Sequence, residues 1–257
     1  MKQALITGAA DGIGRALARR LAQAGYAITG LDVDAERAGQ TQAELTQAGA
    51  TASFMIIDLA DEAEIEQALQ RLAAGPPFDL VIHNAGISAV GRFAGSDLAR
   101  QWLVTQINLV APLRLTAGLL RRQKVRAGGS LVFISSLSYF AGYPGAAVYA
   151  ASKDGLAAYA RSLSVSLAPQ QIQVLTVFPG PTRTAHARRY SPDNSREARR
   201  MPPEQLAEQI FRAVQARRRV LVPGFGNRLF ALIGHYFPRL AELAMRKTIL
   251  EKLDQKQ

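Results

Sequence analysis

Cysteine is absent from the 257-residue chain, and histidine occurs only three times, at His83, His186 and His235. Without cysteine the chain has no disulfide, no thiolate nucleophile and no zinc or iron–sulfur site built on cysteine. The three histidines lie far apart and show no HExxH spacing. The sequence therefore predicts no metal site.

Long uncharged apolar runs are missing as well. None approaches the roughly 18 residues that a membrane-spanning helix needs. The apolar stretch at the N-terminus is too short for the hydrophobic region of a signal peptide. These absences predict a cytoplasmic location for the body of the protein.

Negative charge is scarce in the last third of the chain. The net charge is +11, of which residues 1–180 carry +2 and residues 181–257 carry +9. A nucleic-acid-binding domain pairs a basic face with base-stacking aromatics or a reader motif, and the sequence contains no such motif. We therefore expect no nucleic-acid partner, and purely electrostatic DNA binding is a minor alternative beside a solvated basic surface.

The composition, with 48% hydrophobic and 20% charged residues, is that of a globular protein able to bury a full core. Seven short runs rich in Val, Ile and Leu are continuously apolar, which is typical of strands covered on both faces. They are Gln3–Thr7, Tyr26–Leu31, Thr51–Ile57, Asp79–His83, Ser130–Ser135, Ile172–Phe178 and Val220–Val222. Helical patterns separate them, so the sequence predicts an α/β fold with a Rossmann-like, doubly wound parallel sheet of about seven strands.

The first predicted strand runs into a glycine-rich segment, Thr7–Gly14, directly before the first predicted helix. Small residues let the backbone approach a pyrophosphate, and a helix N-terminus favours its negative charge. A glycine cluster alone also fits an ordinary turn, but the order of strand, glycines and helix favours dinucleotide binding. The candidate residues are Gly8, Asp11, Gly12, Ile13 and Gly14.

Asp32 ends the second predicted strand, about 20 residues beyond the glycines. A carboxylate at this position accepts hydrogen bonds from the adenosine ribose and repels a 2′-phosphate. Val33 follows where an NADP-binding protein often has arginine, and Asp11 is acidic too. The sequence therefore predicts NAD as the cofactor, with NADP as the less favoured alternative.

Tyr149 and Lys153 are four residues apart in a predicted helix, so they share one helical face. A nearby ammonium favours the phenolate and lowers the pKa of a tyrosine, which suits the phenol for proton transfer near neutral pH. In isolation, the pair also fits an interfacial tyrosine beside an exposed lysine.

The motifs taken together resemble the short-chain dehydrogenase/reductase family over about residues 1–223. The glycine segment matches the family's TGxxxGxG loop, and His83–Gly86 matches its NNAG motif with one departure, His83 in place of asparagine. The remaining matches are the YxxxK pair, the serine thirteen residues upstream, the helix asparagine and the PG-x-x-x-T motif, namely Tyr149 and Lys153, Ser136, Asn108, and Pro179, Gly180 and Thr184.

The resemblance implies a catalytic role for four residues. Tyr149 is the general acid/base on the substrate oxygen, and Lys153 holds the nicotinamide ribose and lowers the tyrosine pKa. Ser136 hydrogen-bonds the substrate oxygen, although Ser138 is a second serine nearby. Asn108 supports a water relay for protons. His83 is interpreted as a structural residue at a strand end, with a role in the proton relay as the less favoured alternative.

The resemblance also implies further contacts with the cofactor. Asp58, followed by Leu59, contacts the adenine, and Thr184 binds the nicotinamide carboxamide. The other residues implied at the cofactor are Asn84, Ala85, Gly86, Pro179, Gly180 and Thr182. Homo-oligomerisation is implied in the same way.

Residues 181–204 are rich in arginine and proline and show no clear periodicity, so they are predicted to be a mobile loop. In the family this segment usually covers the substrate. Its arginines could bind an anionic group, or they are solvated loop residues.

Residues 224–257 form an extension beyond residues 1–223, the predicted catalytic domain. Large apolar residues at helical spacing alternate with basic ones, including Arg228, Arg239, Arg246, Lys247 and Lys252. We expect two short helices broken near Pro238. They either pack on the core or a partner subunit, where they wall the substrate site, or contact an anionic membrane as a peripheral anchor.

The leading prediction is an NAD(P)-dependent oxidoreductase that transfers a hydride between the nicotinamide cofactor and a secondary alcohol or ketone. The substrate is a small molecule, with an apolar or lipid-like one as a further expectation. The alternative from another class is a non-catalytic NAD-binding sensor or scaffold on the same fold. The presence of Ser136, Tyr149, Lys153 and Asn108 argues against it, since a sensor need not keep all four.

Overall fold

The computed structural model of the chain describes residues 1–91, 95–191, 193–195 and 197–251, and the side chains of Thr248 and Leu250 are not among those described. Within these residues, seven parallel strands form one sheet in the order β3-β2-β1-β4-β5-β6-β7. The strands are β1 Lys2–Thr7, β2 Tyr26–Asp32, β3 Ala52–Ile56, β4 Phe78–His83, β5 Val125–Ile134, β6 Gln173–Val177 and β7 Val220–Leu221. The predicted Rossmann-like fold is confirmed.

Helices connect the strands and cover both faces of the sheet. They are α1 Gly12–Gln23, α2 Ala35–Gln47, α3 Glu62–Ala74, α4 Leu98–Thr105, α5 Ala111–Arg121, α6 Ala147–Ser166, α7 Ala185–Tyr190, α8 Pro203–Gln215, α9 Phe225–Tyr236 and α10 Pro238–Met245. One core lies between the sheet and α1, α2 and α8, and the other between the sheet and α3, α5 and α6. Burial on both faces explains why the strand sequences are continuously apolar.

Two elements differ from the sequence-based expectation. Strand β5 begins at Val125, five residues earlier than predicted, because the chain continues to pair with β4 through a register shift between Phe78 and Leu80. The segment 181–204 is not simply a loop. It contains α7, whose first turn is capped by Thr184 accepting from the Ala187 N–H at 3.1 Å, a short 3₁₀ turn at Glu197–Arg199, and the start of α8.

One helical run, Leu98–Arg121, is long and apolar enough to cross a membrane by length and composition alone. It comprises α4, a π-helical turn at Gln106–Val110, and α5. Its Leu115 and Leu119 are fully buried against the sheet. We therefore interpret the run as a core helix.

The C-terminal extension is helical, as predicted, and the break falls at Phe237 between α9 and α10. A π-helical turn, Arg246–Leu250, follows α10. Two residues of the predicted basic and apolar pattern, Lys252 and Leu253, lie outside the described residues.

Candidate active site

A cavity of about 1160 Å³ lies at the carboxyl ends of the strands, where ligands bind in open parallel sheets. The structure brings most of the predicted site residues into its lining: Gly8, Asp11, Gly12, Ile13, Asp32, Asn84, Ala85, Gly86, Ser136, Tyr149, Lys153, Pro179, Gly180, Thr182 and Thr184. Four predicted residues, Gly14, Asp58, Leu59 and Asn108, lie outside the lining.

The glycine-rich loop is tied to the segment after β4. The Thr7 hydroxyl accepts from the backbone N–H groups of Asn84 and Ala85, both at 3.0 Å. The Asn84 amide in turn donates to the carbonyl oxygens of Thr7 and Gly8, both at 3.0 Å. These bonds fix the loop and the Asn84–Gly86 segment as two adjoining edges of the cavity.

The glycines of the loop are required by close packing. A Cβ on Gly14 would lie 1.9 Å from the Gly8 carbonyl oxygen, and Gly8 itself has a φ of +64°. Gly14 therefore packs against the backbone of the loop, and this position explains why it does not line the cavity. The glycine-lined cradle at the N-terminus of α1 fits the pyrophosphate of an NAD(P) dinucleotide.

Asp32 lies at the end of β2 in a cluster of charged groups. Its Oδ2 accepts from the Ala10 N–H at 2.8 Å, and its Oδ1 accepts from the Asp34 N–H at 3.1 Å. Arg37 is a neighbour that sequence reasoning missed. It pairs with Asp11 at 3.0 Å and Asp34 at 3.4 Å, so three carboxylates outnumber the single guanidinium. Its only sequence signal is a basic residue in the first turn of the helix after Asp32.

Tyr149 and Lys153 both face the cavity from the start of α6, as their spacing predicts. The Lys153 ammonium donates to the Ile134 carbonyl oxygen at 2.9 Å, and burial lowers its pKa to about 8. The pKa of Tyr149 departs from the expectation. Burial raises the tyrosine pKa, and the group that acts against this rise is Ser136, through a side-chain hydrogen bond.

Asn108 is fully buried in the π-helical turn between α4 and α5. Its Oδ1 accepts from the Ile87 N–H at 2.8 Å, and its Nδ2 donates to the Ile87 carbonyl at 2.9 Å and to the Ser152 hydroxyl at 3.1 Å. The side chain thus holds protein groups in place. A Cβ on Gly86 would lie 3.1 Å from both Asn108 Oδ1 and Lys153 Nζ, so the three residues adjoin.

The segment after β6 closes the cavity on the other side. Buried Thr182 donates from its hydroxyl to the Gly180 carbonyl at 3.2 Å. Thr184 stands over the glycine loop, since a Cβ on Gly12 would lie 3.2 Å from its Cγ2. Pro179 and Gly180 complete this wall.

Asp58 and Leu59 lie apart from the cavity at the end of β3. Asp58 is exposed, and its Oδ1 accepts from the Ala60 N–H at 2.8 Å. Leu59 is buried in the core with α3 and α5. Their predicted contact with adenine stays a prediction.

His83 is buried and is not among the residues that line the cavity. Its Nε2 shares a hydrogen bond of 2.9 Å with the Thr116 hydroxyl, and its ring stacks on Phe133 with centroids 4.9 Å apart. Burial lowers its pKa to about 3. This environment supports the structural interpretation of His83 over a role in the proton relay.

The sequence predicted that the C-terminal extension could wall the substrate site, but it did not predict which apolar residues line the cavity. Leu137, Phe230, Met245 and Ile249 line it, the last three from the C-terminal extension. Tyr143, whose ring centroid lies 6.4 Å from that of Tyr149, was missed. Its sequence signal is its place in a glycine- and proline-rich turn just before α6, Gly142–Gly145.

Comparison with known proteins agrees with this geometry. The family model for short chain dehydrogenases matches residues 2–195. The chain belongs to the short-chain dehydrogenase/reductase family. It is therefore an NAD(P)-dependent oxidoreductase by family, with the Rossmann-like fold described above.

Relatives in this family include well-covered matches. Dehydrogenase/reductase SDR family member 4 of Homo sapiens is 32% identical over 203 residues, covering 76% of this chain and 71% of that protein. The 3-oxoacyl-[acyl-carrier-protein] reductase FabG of Escherichia coli is 32% identical over 193 residues, covering 75% and 78%. A solved short-chain dehydrogenase from Sphingobium yanoikuyae, in complex with NADPH, has a TM-score of 0.81 at 28% identity, covering 91% and 93%.

Proposed function

We propose that the chain is an NAD-dependent oxidoreductase that interconverts a secondary alcohol and a ketone, with Tyr149 as the general acid/base. The observation that carries this proposal is the convergence of Ser136, Tyr149 and Lys153 on one cavity. A reaction that moves a proton at the substrate oxygen would use all three groups.

When bound, the nicotinamide supplies or accepts the hydride. The Tyr149 hydroxyl gives a proton to the carbonyl oxygen during reduction and takes it back during oxidation. The Ser136 hydroxyl orients the same substrate oxygen by a hydrogen bond. Lys153 would bind the nicotinamide ribose, and its protonated form would act against the rise that burial causes in the pKa of Tyr149.

Asn108 acts as a positioning residue in this scheme. Because its amide is held by the Ile87 backbone and by Ser152, it supports the proton relay by fixing the Gly86 region beside Lys153. The backbone at Asn84–Gly86 would hold the adenosine ribose, and Thr184 with Thr182 would hold the nicotinamide. Of the two predicted adenine contacts, exposed Asp58 would be the one available to the adenine, because Leu59 is buried in the core.

The preference for NAD follows from charge. Asp32 lines the cavity, and the carboxylates of Asp11 and Asp34 occupy the Arg37 guanidinium. The net negative charge around the adenosine ribose repels a 2′-phosphate.

An apolar, lipid-like alcohol or ketone suits the apolar side chains of the cavity. Leu137, Phe230, Met245 and Ile249 line it together with the acid/base group. Burial of apolar substrate surface against these side chains stabilises the complex.

The test is a screen of secondary alcohols and ketones of graded chain length, with NAD(H) and NADP(H) in parallel, following nicotinamide absorbance. We expect turnover with NAD(H) that improves with chain length. Cofactor binding without turnover on any substrate of the series would favour the sensor or scaffold alternative instead.

A further inference from the structure

Helix α9 carries large apolar side chains on two opposite faces. One face is turned to the protein: Asn227 and Phe230 line the cavity, and a Cβ on Gly234 would lie 2.0 Å from the Phe140 carbonyl oxygen. The opposite face, at helical spacing, is exposed and apolar, and it consists of Phe225, Leu229, Leu232 and Tyr236. Packing on the core therefore leaves the large apolar side chains of one face of α9 exposed.

Helix α10 continues the same arrangement. Ala241 is buried and Met245 lines the cavity, while Leu240 and Leu243 on the other side of the helix are exposed. We call the exposed residues of both helices and their junction the C-terminal apolar face: Phe225, Leu229, Leu232, Tyr236, Phe237, Leu240 and Leu243. Each is more than half exposed, and a contiguous apolar surface of this kind marks an interaction site.

The segment that carries this face is basic. Arg228, Arg239, Arg246 and Lys247 are exposed on the same segment, against the acids Glu242 and Glu251. More arginines stand on the neighbouring wall of the cavity, the segment that contributes Thr184 and Tyr190 to the lining. Those exposed there are Arg183, Arg189, Arg199 and Arg188, of which Arg188 pairs with Glu197 at 3.5 Å.

We propose that the C-terminal apolar face docks on an anionic lipid bilayer, with α9 and α10 lying in the plane of the headgroups. Apolar side chains enter the acyl boundary, and the cations of the same segment pair with lipid phosphates. A second copy of the chain is the weaker occupant. It would bring two segments that each carry +9 over residues 181–257 against one another.

The docking also gives the apolar substrate a route to the site, an extension that rests on the proposed function. A single helical layer would separate the bilayer from the cavity, because α9 and α10 would present one face to lipid while Phe230 and Met245 line the cavity from the other. An apolar alcohol or ketone dissolved in the bilayer would reach the acid/base group without crossing bulk water.

The test is co-sedimentation of the full chain with vesicles of phosphatidylcholine alone and of equimolar phosphatidylcholine and phosphatidylglycerol. The variant Leu232→Glu/Leu240→Glu places two carboxylates on the face at exposed positions outside the cavity lining. Its matched control, Ser53→Glu/Ile56→Glu, adds the same charge at exposed positions of β3, on the opposite edge of the sheet. Circular dichroism and cofactor binding confirm that each variant is folded.

We expect at least tenfold stronger binding to the anionic vesicles, since each basic side chain at the surface contributes about fivefold. The double variant should lose more than about tenfold of that binding, and the β3 control should keep it.

Absence of binding, equal binding by both variants, or equal loss in both overturns the proposal. If the wild type is a dimer in solution and the Leu232→Glu/Leu240→Glu variant is a monomer, the face binds a second copy of the chain, and the lipid proposal is overturned. Because sedimentation needs no substrate, these outcomes are independent of the proposed reaction.

Discussion

Tyr139 and Tyr149 lie on either side of the Gly142–Gly145 turn. Of these two tyrosines, Tyr149 lines the cavity and Tyr139 does not. Tyr149→Phe removes the phenol oxygen and keeps the ring. We expect turnover to fall by roughly 10²–10⁴, the usual contribution of general acid/base catalysis, while cofactor binding measured by fluorescence is kept. Tyr139→Phe is the matched control and should leave turnover near wild type. Equal turnover of the Tyr149→Phe variant and this control would refute the assignment of the proton donor.

Cofactor choice is also decided by single residues. Val33 is 66% exposed beside Asp32, so an arginine there meets no packing cost. Asp32→Ala/Val33→Arg replaces repulsion of a 2′-phosphate by attraction, and we expect the ratio of kcat/KM for NAD over NADP to fall by at least about tenfold. Val33→Leu, which adds bulk without charge, should leave the ratio unchanged. A wild-type enzyme that already prefers NADP contradicts our interpretation of Asp32.

His83 gives a pH dependence whose sign follows from its burial. Its pKa falls to about 3 in the folded protein, against 6.5 when unfolded, so the unfolded chain binds the proton first as the pH drops. The histidine therefore costs stability progressively below about pH 6.5, reaching roughly 3 kcal/mol near pH 4. His83→Asn should remove this loss. Urea unfolding from pH 7 to 4 measures it, and parallel pH profiles of the two proteins would contradict the prediction.

At the scale of elements, the close approach of α9 to the Leu137–Phe140 turn can be tested by two glycines of the same helix. Gly234→Ala would drive its Cβ into the Phe140 carbonyl, so we expect a loss of about 1–3 kcal/mol from overpacking. Gly226→Ala is the control, because a Cβ there meets nothing within 4 Å. It should be neutral or stabilising by up to about 1 kcal/mol. Thermal unfolding distinguishes the two, and equal stability of both variants would show that α9 does not pack as described.

The elements differ in how far the sequence could predict them. Strands such as β1 and β6 are buried on both faces, so their apolar runs are local signals of a global arrangement. Helix α7 depends on a single capping contact from Thr184, which no periodicity reveals. The site shows the same division: Tyr149 and Lys153 share a helical face by spacing alone, whereas Arg37 reaches Asp11 only because α2 folds back beside the glycine loop.

At the scale of the whole molecule, a second exposed apolar surface favours association between copies of the chain. Leu98 and Trp102 on α4 are 70% and 64% exposed, and they lie one helical turn apart. We expect a homo-oligomer that buries these residues. Trp102→Glu would place an unpaired carboxylate in that interface and shift the molar mass, measured by light scattering after size-exclusion chromatography, to that of a monomer. Leu232→Glu, on the C-terminal apolar face, should leave the oligomer intact, because that face is assigned to lipid. A wild type that is monomeric at micromolar concentration would contradict the expected interface at α4. Dissociation by Leu232→Glu instead of Trp102→Glu would place the interface on the C-terminal apolar face and contradict its assignment to lipid.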